Sequence, residues 1–71
     1  MTELGKYLNK KSVNKAEISR RTGISPSRLS ELSLHSTTKL RAKELYLIAL
    51  AIDISPAEVL QEVCGHLNIN S

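Results

Sequence analysis

Pro26, Ser27, Arg28, Ser30 and Glu31 place a guanidinium, a carboxylate and two hydroxyls on one short segment. Side chains of these types recognise by hydrogen bonding. Arg28 can grip guanine through two parallel bonds, or it can clamp a phosphate. Glu31 can accept from the amino group of cytosine. The simpler role for Glu31 is an ion pair with Arg28, three residues earlier on the same helix face. Ser27 can serve a base or a phosphate, and Pro26 offers only apolar contact, suited to a thymine methyl. So serine-rich a face implies modest direct readout, with nucleic-acid shape contributing. Bond-making chemistry has less support. Glu17, Glu31, His35, Cys64 and the serines form no recognisable nucleophile–base set, so no enzyme is expected. His35, Cys64 and His66 are too few and too poorly spaced for a zinc site, and no cofactor is implied.

A second group of residues suits phosphate. Lys10 and Lys11 lead into Asn14 and Lys15, where a helix N-terminus would itself attract an anion. Ser36, Thr37, Thr38, Lys39, Arg41 and Lys43 bring hydroxyls and cations together further along. The competing reading of that stretch is an ordinary solvated loop. The charge pattern favours a polyanionic partner. Residues 6–43 hold all ten cations against two acids, Glu17 and Glu31, net +8. From Glu44 onward there are four acids and no Lys or Arg, net −4. One face of the molecule would meet phosphate and the other would not.

These side chains need elements to hold them, and the segment 14–34 specifies two short helices around one sharp turn. Asn14 and Glu17 have capping-box spacing, which starts a helix over 15–22. Gly23 ends it, since glycine takes positive φ without a Cβ penalty. Ser25 caps the next helix, with Pro26 at its first position, over 26–33. Only Ile24 separates stop from start, so the two helices must cross steeply, as in a DNA-reading helix-turn-helix. Ile18, Leu29 and Leu32 face inward, and Ser19 is small enough for close approach.

The remaining segments also read as helix. Leu4, Tyr7 and Leu8 mark an apolar face over 2–10, and Val13 stands where a hydrophobic staple belongs. Residues 33–40 lack periodicity and read as a loop. Residues 41–52 are apolar almost all round; a buried strand competes, but Leu and Ala dominate and no partner strand exists. No convincing N-cap precedes this helix. Ser55-Pro-Ala-Glu58 caps a fifth helix with Leu60, Val63 and Cys64 inward, and Gly65 stops it. Cys64 reads as core rather than reactive, having no cation near it in sequence. Leu67 and Ile69 are free to dock from a short tail beginning at about residue 65.

The stretch Asn14-Lys-Ala-Glu-Ile-Ser-Arg-Arg-Thr-Gly-Ile-Ser25 resembles the helix-turn-helix family of phage repressors and Cro proteins, the XRE family. A second stretch, Leu47-Ile-Ala-Leu-Ala-Ile-Asp-Ile-Ser-Pro-Ala-Glu-Val-Leu60, resembles that family's later helices. Together the resemblance spans about residues 6–60. It implies an all-α, five-helix, phage-repressor-like DNA-binding domain with helices 2 and 3 as the helix-turn-helix, one domain over 1–71. It also implies base contacts from Pro26, Ser27, Arg28 and Glu31. The chain departs from the family pattern at four points. Lys15 replaces a Gln, no Gly follows the third helix at Ser33-Leu34-His35, the following loop is longer, and Asp53 stands where a Gly is usual.

Sequence-specific binding of double-stranded DNA by a transcriptional repressor is therefore the expected function. The alternative is an antitoxin-like or adaptor module that mainly docks a protein partner. Paired half-sites imply a homodimer. Pro56, Val59, Leu60, Val63 and Leu67 in the acidic part are the candidates for its interface, Val59 because it lies off the inward stripe and would otherwise be exposed. No apolar run approaches a membrane span, and the N-terminal residues do not resemble a signal peptide, so a cytoplasmic location is expected.

Overall fold

The computed structural model describes residues 1–69. They form α1 (Glu3–Lys10), α2 (Lys15–Thr22), α3 (Pro26–Leu34), α4 (Ala42–Ala51) and α5 (Pro56–Cys64), with no strand among the described residues. Each helix end has a local cause. Asn14 Oδ1 accepts from the backbone N–H groups of Ala16 and Glu17 at 2.8 and 3.2 Å, opening α2. Gly23 closes it at φ 80°. Ser25 Oγ then accepts from the N–H of Arg28 at 3.1 Å, opening α3 behind Pro26.

Two side chains secure the turn between α2 and α3. Ser19 Oγ donates to the carbonyl of Ile24 at 2.6 Å. Thr22 Oγ1 donates to the carbonyl of Ile18 at 2.7 Å and accepts from the N–H of Ile24 at 3.1 Å. Polar groups that a tight turn strands are thereby bonded, while the Ile24 side chain is buried beneath them. The small residue at position 19 thus supplies a hydrogen bond across the turn as well as space.

The core is aliphatic apart from Tyr7 and has two parts. Leu4, Leu8, Ile18, Ile24, Leu29, Leu32 and Ile48 form one cluster, and Tyr7, Leu45, Ala49 and Val59 the other. Helix α4 contributes to both. Helix α1 packs on α3 and α5, α2 on α3 and α4, and α4 on α5. Val13 packs against the cluster that contains Ile18, as the staple requires.

The start of α1 is tied to the end of α3. Thr2 caps α1, its hydroxyl accepting from the Gly5 N–H at 3.0 Å and donating to the Leu32 carbonyl at 2.6 Å. The Thr2 N–H reaches the Ser33 carbonyl at 2.9 Å. A Cβ on Gly5 would stand 2.2 Å from that same carbonyl oxygen, so the two helices approach closely only because position 5 has no side chain.

Several expectations need correction. Val59 is fully buried at 0 % exposure, whereas Leu60 is 51 % exposed. The inward stripe of α5 is therefore set by Val59 and the half-buried Val63, with Cys64 also half-buried. Both stripes have helical spacing. Packing chooses between them, because α5 lies against α1 and α4 at once and Val59 joins the cluster of Tyr7 and Ala49. Ser55 occupies the N-cap of α5 without a side-chain hydrogen bond. Glu17 does not complete its capping box; its carboxylate pairs with Arg20 and Arg21. Helix α3 runs one residue further than expected, to Leu34. Leu67 and Ile69 are exposed rather than docked. Asp53 does take a left-handed conformation, at φ 58°, and Ser12 does so unforeseen, at φ 55°.

Gly5 and Gly23 make separable demands. Gly23→Ala meets no atom within 4 Å and is penalised through φ alone, by about 1–2 kcal/mol. Gly5→Ala must move backbone and is expected to destabilise by about 1–3 kcal/mol, as overpacking does. Urea denaturation of each variant checks this, with Gly23→Asn expected to be milder than Gly23→Ala because Asn tolerates the left-handed region.

Candidate nucleic-acid interface

Helix α3 buries Leu29, Leu32 and Ser33 and exposes Pro26, Ser27, Ser30, Glu31 and Leu34. The apolar spacing fixes this rotation, so the polar face follows from the core. Burial also holds the helix rigidly, since Leu29 and Leu32 sit in the larger cluster. Among the described residues Glu31 has no ion-pair partner.

Arg28 is different from its neighbours. Its Nε donates to Glu44 Oε2 at 2.9 Å, and its Nη2 donates to Glu44 Oε1 at 2.9 Å and to the Lys39 carbonyl at 2.8 Å. The side chains are only 26 % and 11 % exposed. Glu44 Oε1 also accepts from the Arg41 N–H at 3.0 Å. This last bond opens α4: Arg41 holds the N-cap position, and the carboxylate at the third helical residue does what no cap side chain does there. The expected Arg28–Glu31 pair is thus replaced by an Arg28–Glu44 pair. A half-buried guanidinium and a nearly buried carboxylate compensate one another, whereas Glu31 is well solvated.

Sequence reasoning missed Glu44, which reads only as a helix lead-in. The available signal was an acid at the third position of a helix without a Ser, Thr, Asp or Asn cap. Hydrogen bonds from Arg28, and next from the Arg41 N–H, hold the Glu44 carboxyl below its ordinary value of 4.5, against the opposing effect of burial.

The proposed phosphate contacts fall into separate groups. Lys39, Arg41 and Lys43 are exposed beside the start of α3. A groove between the turn and the start of α4 is lined by Gly23, Ser25, Arg28, Arg41, Lys43 and Glu44, among others. Ser36 and Thr38 instead line a different groove, with Met1, Leu4 and His66. Thr37 is exposed in the same turn. Lys10 lines a depression with Glu3, Lys6, Tyr7 and Glu62, on the side of α1 facing α5. Lys11 lies over the Tyr7 ring at 5.6 Å. Asn14 spends its oxygen on the α2 cap, so only its amide N–H groups remain for an anion. Lys15 is half-exposed beside it. Arg20 and Arg21 serve Glu17, and Arg21 also donates to the Ala51 carbonyl at 2.8 Å, tying α2 to the end of α4.

Of the interface candidates on the acidic side, Leu60 and Leu67 (65 % exposed) present apolar surface. Pro56 and Val63 are half-buried, and Val59 is unavailable. Tyr46, Leu50 and Leu34 are exposed apolar residues that the sequence did not single out. Among the described residues no group of His, Cys, Asp and Glu could hold a metal ion, and no helix is long and apolar enough to cross a membrane.

Residues 3–65 match the family model of the Cro/C1-type HTH DNA-binding domain. No curated protein and no solved structure matches the chain.

The lowered Glu44 carboxyl makes stability depend on pH in a defined direction. Its charged form is favoured by folding, so its contribution is fully present above the unfolded value near 4.5 and is lost as pH falls through the lower folded value. Glu44→Gln is expected to lower the urea midpoint at neutral pH. The gap between wild type and variant should be flat above that value and narrow below it. Denaturation curves across that range check both statements.

Proposed function

The chain belongs to the Cro/C1-type helix-turn-helix DNA-binding family, and from that premise we propose that it is a sequence-specific regulator of transcription, a repressor that occupies its operator as a homodimer. The observation that carries this reading is the exposed polar face of α3, held rigid by Leu29 and Leu32, with Lys39, Arg41 and Lys43 beside its start. The N-terminal half of α3 enters the major groove. Pro26, Ser27 and Glu31 face the bases there, and Glu31 accepts from an exocyclic amino group. Lys39, Arg41, Lys43, Lys15 and the amide of Asn14 contact phosphates on either side. The lysines at positions 10 and 11 and the hydroxyls at 36–38 do not line the groove beside α3 and serve the outer phosphates.

Two copies would meet through exposed Leu60 and Leu67, placing two reading helices one turn of DNA apart. Repression then needs nothing beyond occupancy of a site that the transcription machinery must use. A second reading, a module that docks a protein partner in the manner of an antitoxin, is favoured by Tyr46 and Leu50, two exposed apolar residues one helical turn apart on α4.

Selection of bound duplexes from a random pool distinguishes the two. A palindromic motif is the expected result. Failure to shift any duplex at low salt would sink the DNA reading. Affinity should fall with salt at a log–log slope of about −0.9 per neutralised phosphate. Lys39→Ala should weaken all sequences alike and reduce that slope by about 1.

A further inference from the structure

Arg28 is the one cation in residues 26–34, and the geometry points to a role for it other than base reading. It is a positioning residue that fixes the reading helix and the phosphate-contacting loop relative to one another. Specificity is left to the uncharged and acidic side chains Ser27, Ser30 and Glu31. The inference rests on the proposed reading of DNA by α3.

A guanidinium recognises guanine through a fork of two parallel N–H groups. It has two such forks. The one formed by Nε and Nη2 is occupied in full by the Glu44 carboxylate, at 2.9 Å for each bond. The other needs the second N–H of Nη2, which already donates to the Lys39 carbonyl at 2.8 Å. No complete fork remains for a base; only the N–H groups of Nη1 are unassigned. Turning Arg28 toward a base would strip a nearly buried carboxylate of its ion-pair partner, and uncompensated charge of that kind is strongly unfavourable.

The same three bonds show what Arg28 positions. Glu44 is on α4 and also receives the Arg41 N–H, and Lys39 is in the loop between α3 and α4. One side chain therefore joins the reading helix, the loop that carries Lys39 and Arg41, and the first turn of α4. The spacing between groups that meet bases and groups that meet phosphates depends on it. With its cation withdrawn, the face of α3 offers hydroxyls and one free carboxylate. Such a face prefers base pairs that present an amino donor in the major groove, from cytosine or adenine, at the position under Glu31.

The test compares Arg28→Ala, Glu44→Ala, Arg28→Lys and the double variant Arg28→Met/Glu44→Leu with wild type and with Glu31→Gln. Each is taken through random-pool selection and through urea denaturation. The singles at positions 28 and 44 should each bind about tenfold more weakly, in line with coupling between contacting residues, and still select the wild-type motif. The apolar double should recover most of the affinity that either single loses, because the two side chains act as one unit. Arg28→Lys should rescue only in part, since an ammonium cannot supply the fork. Glu31→Gln should change the preferred base at one position of each half-site. A motif selected by Arg28→Ala that relaxes at a single guanine would overturn the inference, as would additive effects of the 28 and 44 substitutions on denaturation. If wild type selects no motif, the underlying DNA reading fails instead, and the denaturation coupling separates that outcome from failure of the clamp.

Discussion

Helix α4, like α1, contributes to both parts of the core, and the placement of the outward-facing groups on α3 depends on its burial. Ile48 and Ala49 are inaccessible to solvent, and they stand next to each other in the chain. Adjacent helical positions point about 100° apart, so burying both requires neighbours on two sides. Helix α2 supplies one side and α5 the other. The chain has no Phe and no Trp, and so small an aliphatic core has little surplus volume to lose. Rigid placement of α3 follows from that packing, because Leu29 and Leu32 share a cluster with Ile48.

The legible parts of this molecule were those with local causes. Asn14, Gly23, Ser25 and Pro26 define the two-helix unit through bonds or dihedrals that span a few residues, and the structure places the ends of α2 as that reading requires. Asp53 was legible for the same reason, as a residue that can stand in for glycine in a left-handed turn. The α5 stripe was not legible. Val59 and Leu60 are neighbours of similar hydrophobicity, and periodicity admits either as the inward residue. The choice is made by α1 and α4, which are distant in sequence. The Arg28–Glu44 pair was hidden by a similar gap, as was the close crossing of α1 and α3 that Gly5 permits.

Charge distribution gains meaning from the ion pair. The basic segment of the chain gives way to the acidic one at Glu44, and Glu44 is the residue that Arg28 holds. That first acid lies on the basic side of the fold, where it organises the cations around it: Arg41 through its backbone N–H, Lys39 through the carbonyl that shares Arg28. The other acids of that segment are exposed, two of them on α5. A surface that attracts phosphate is thus shaped by one buried negative charge, which fixes where the positive ones stand.

The free side chains on α3 have a consequence for how this protein can change over generations. Ser27, Ser30 and Glu31 are exposed and take no part in the core. Substitutions there are nearly neutral for folding, as at most surface positions away from special features. New preferences can therefore arise by single steps without loss of stability. Arg28 and Glu44 have no such freedom: either one changed alone strands the other, so that pair can drift only through a compensating double replacement. The recognition helix thus holds side by side residues that can diverge quickly and one that is constrained to evolve in concert with α4.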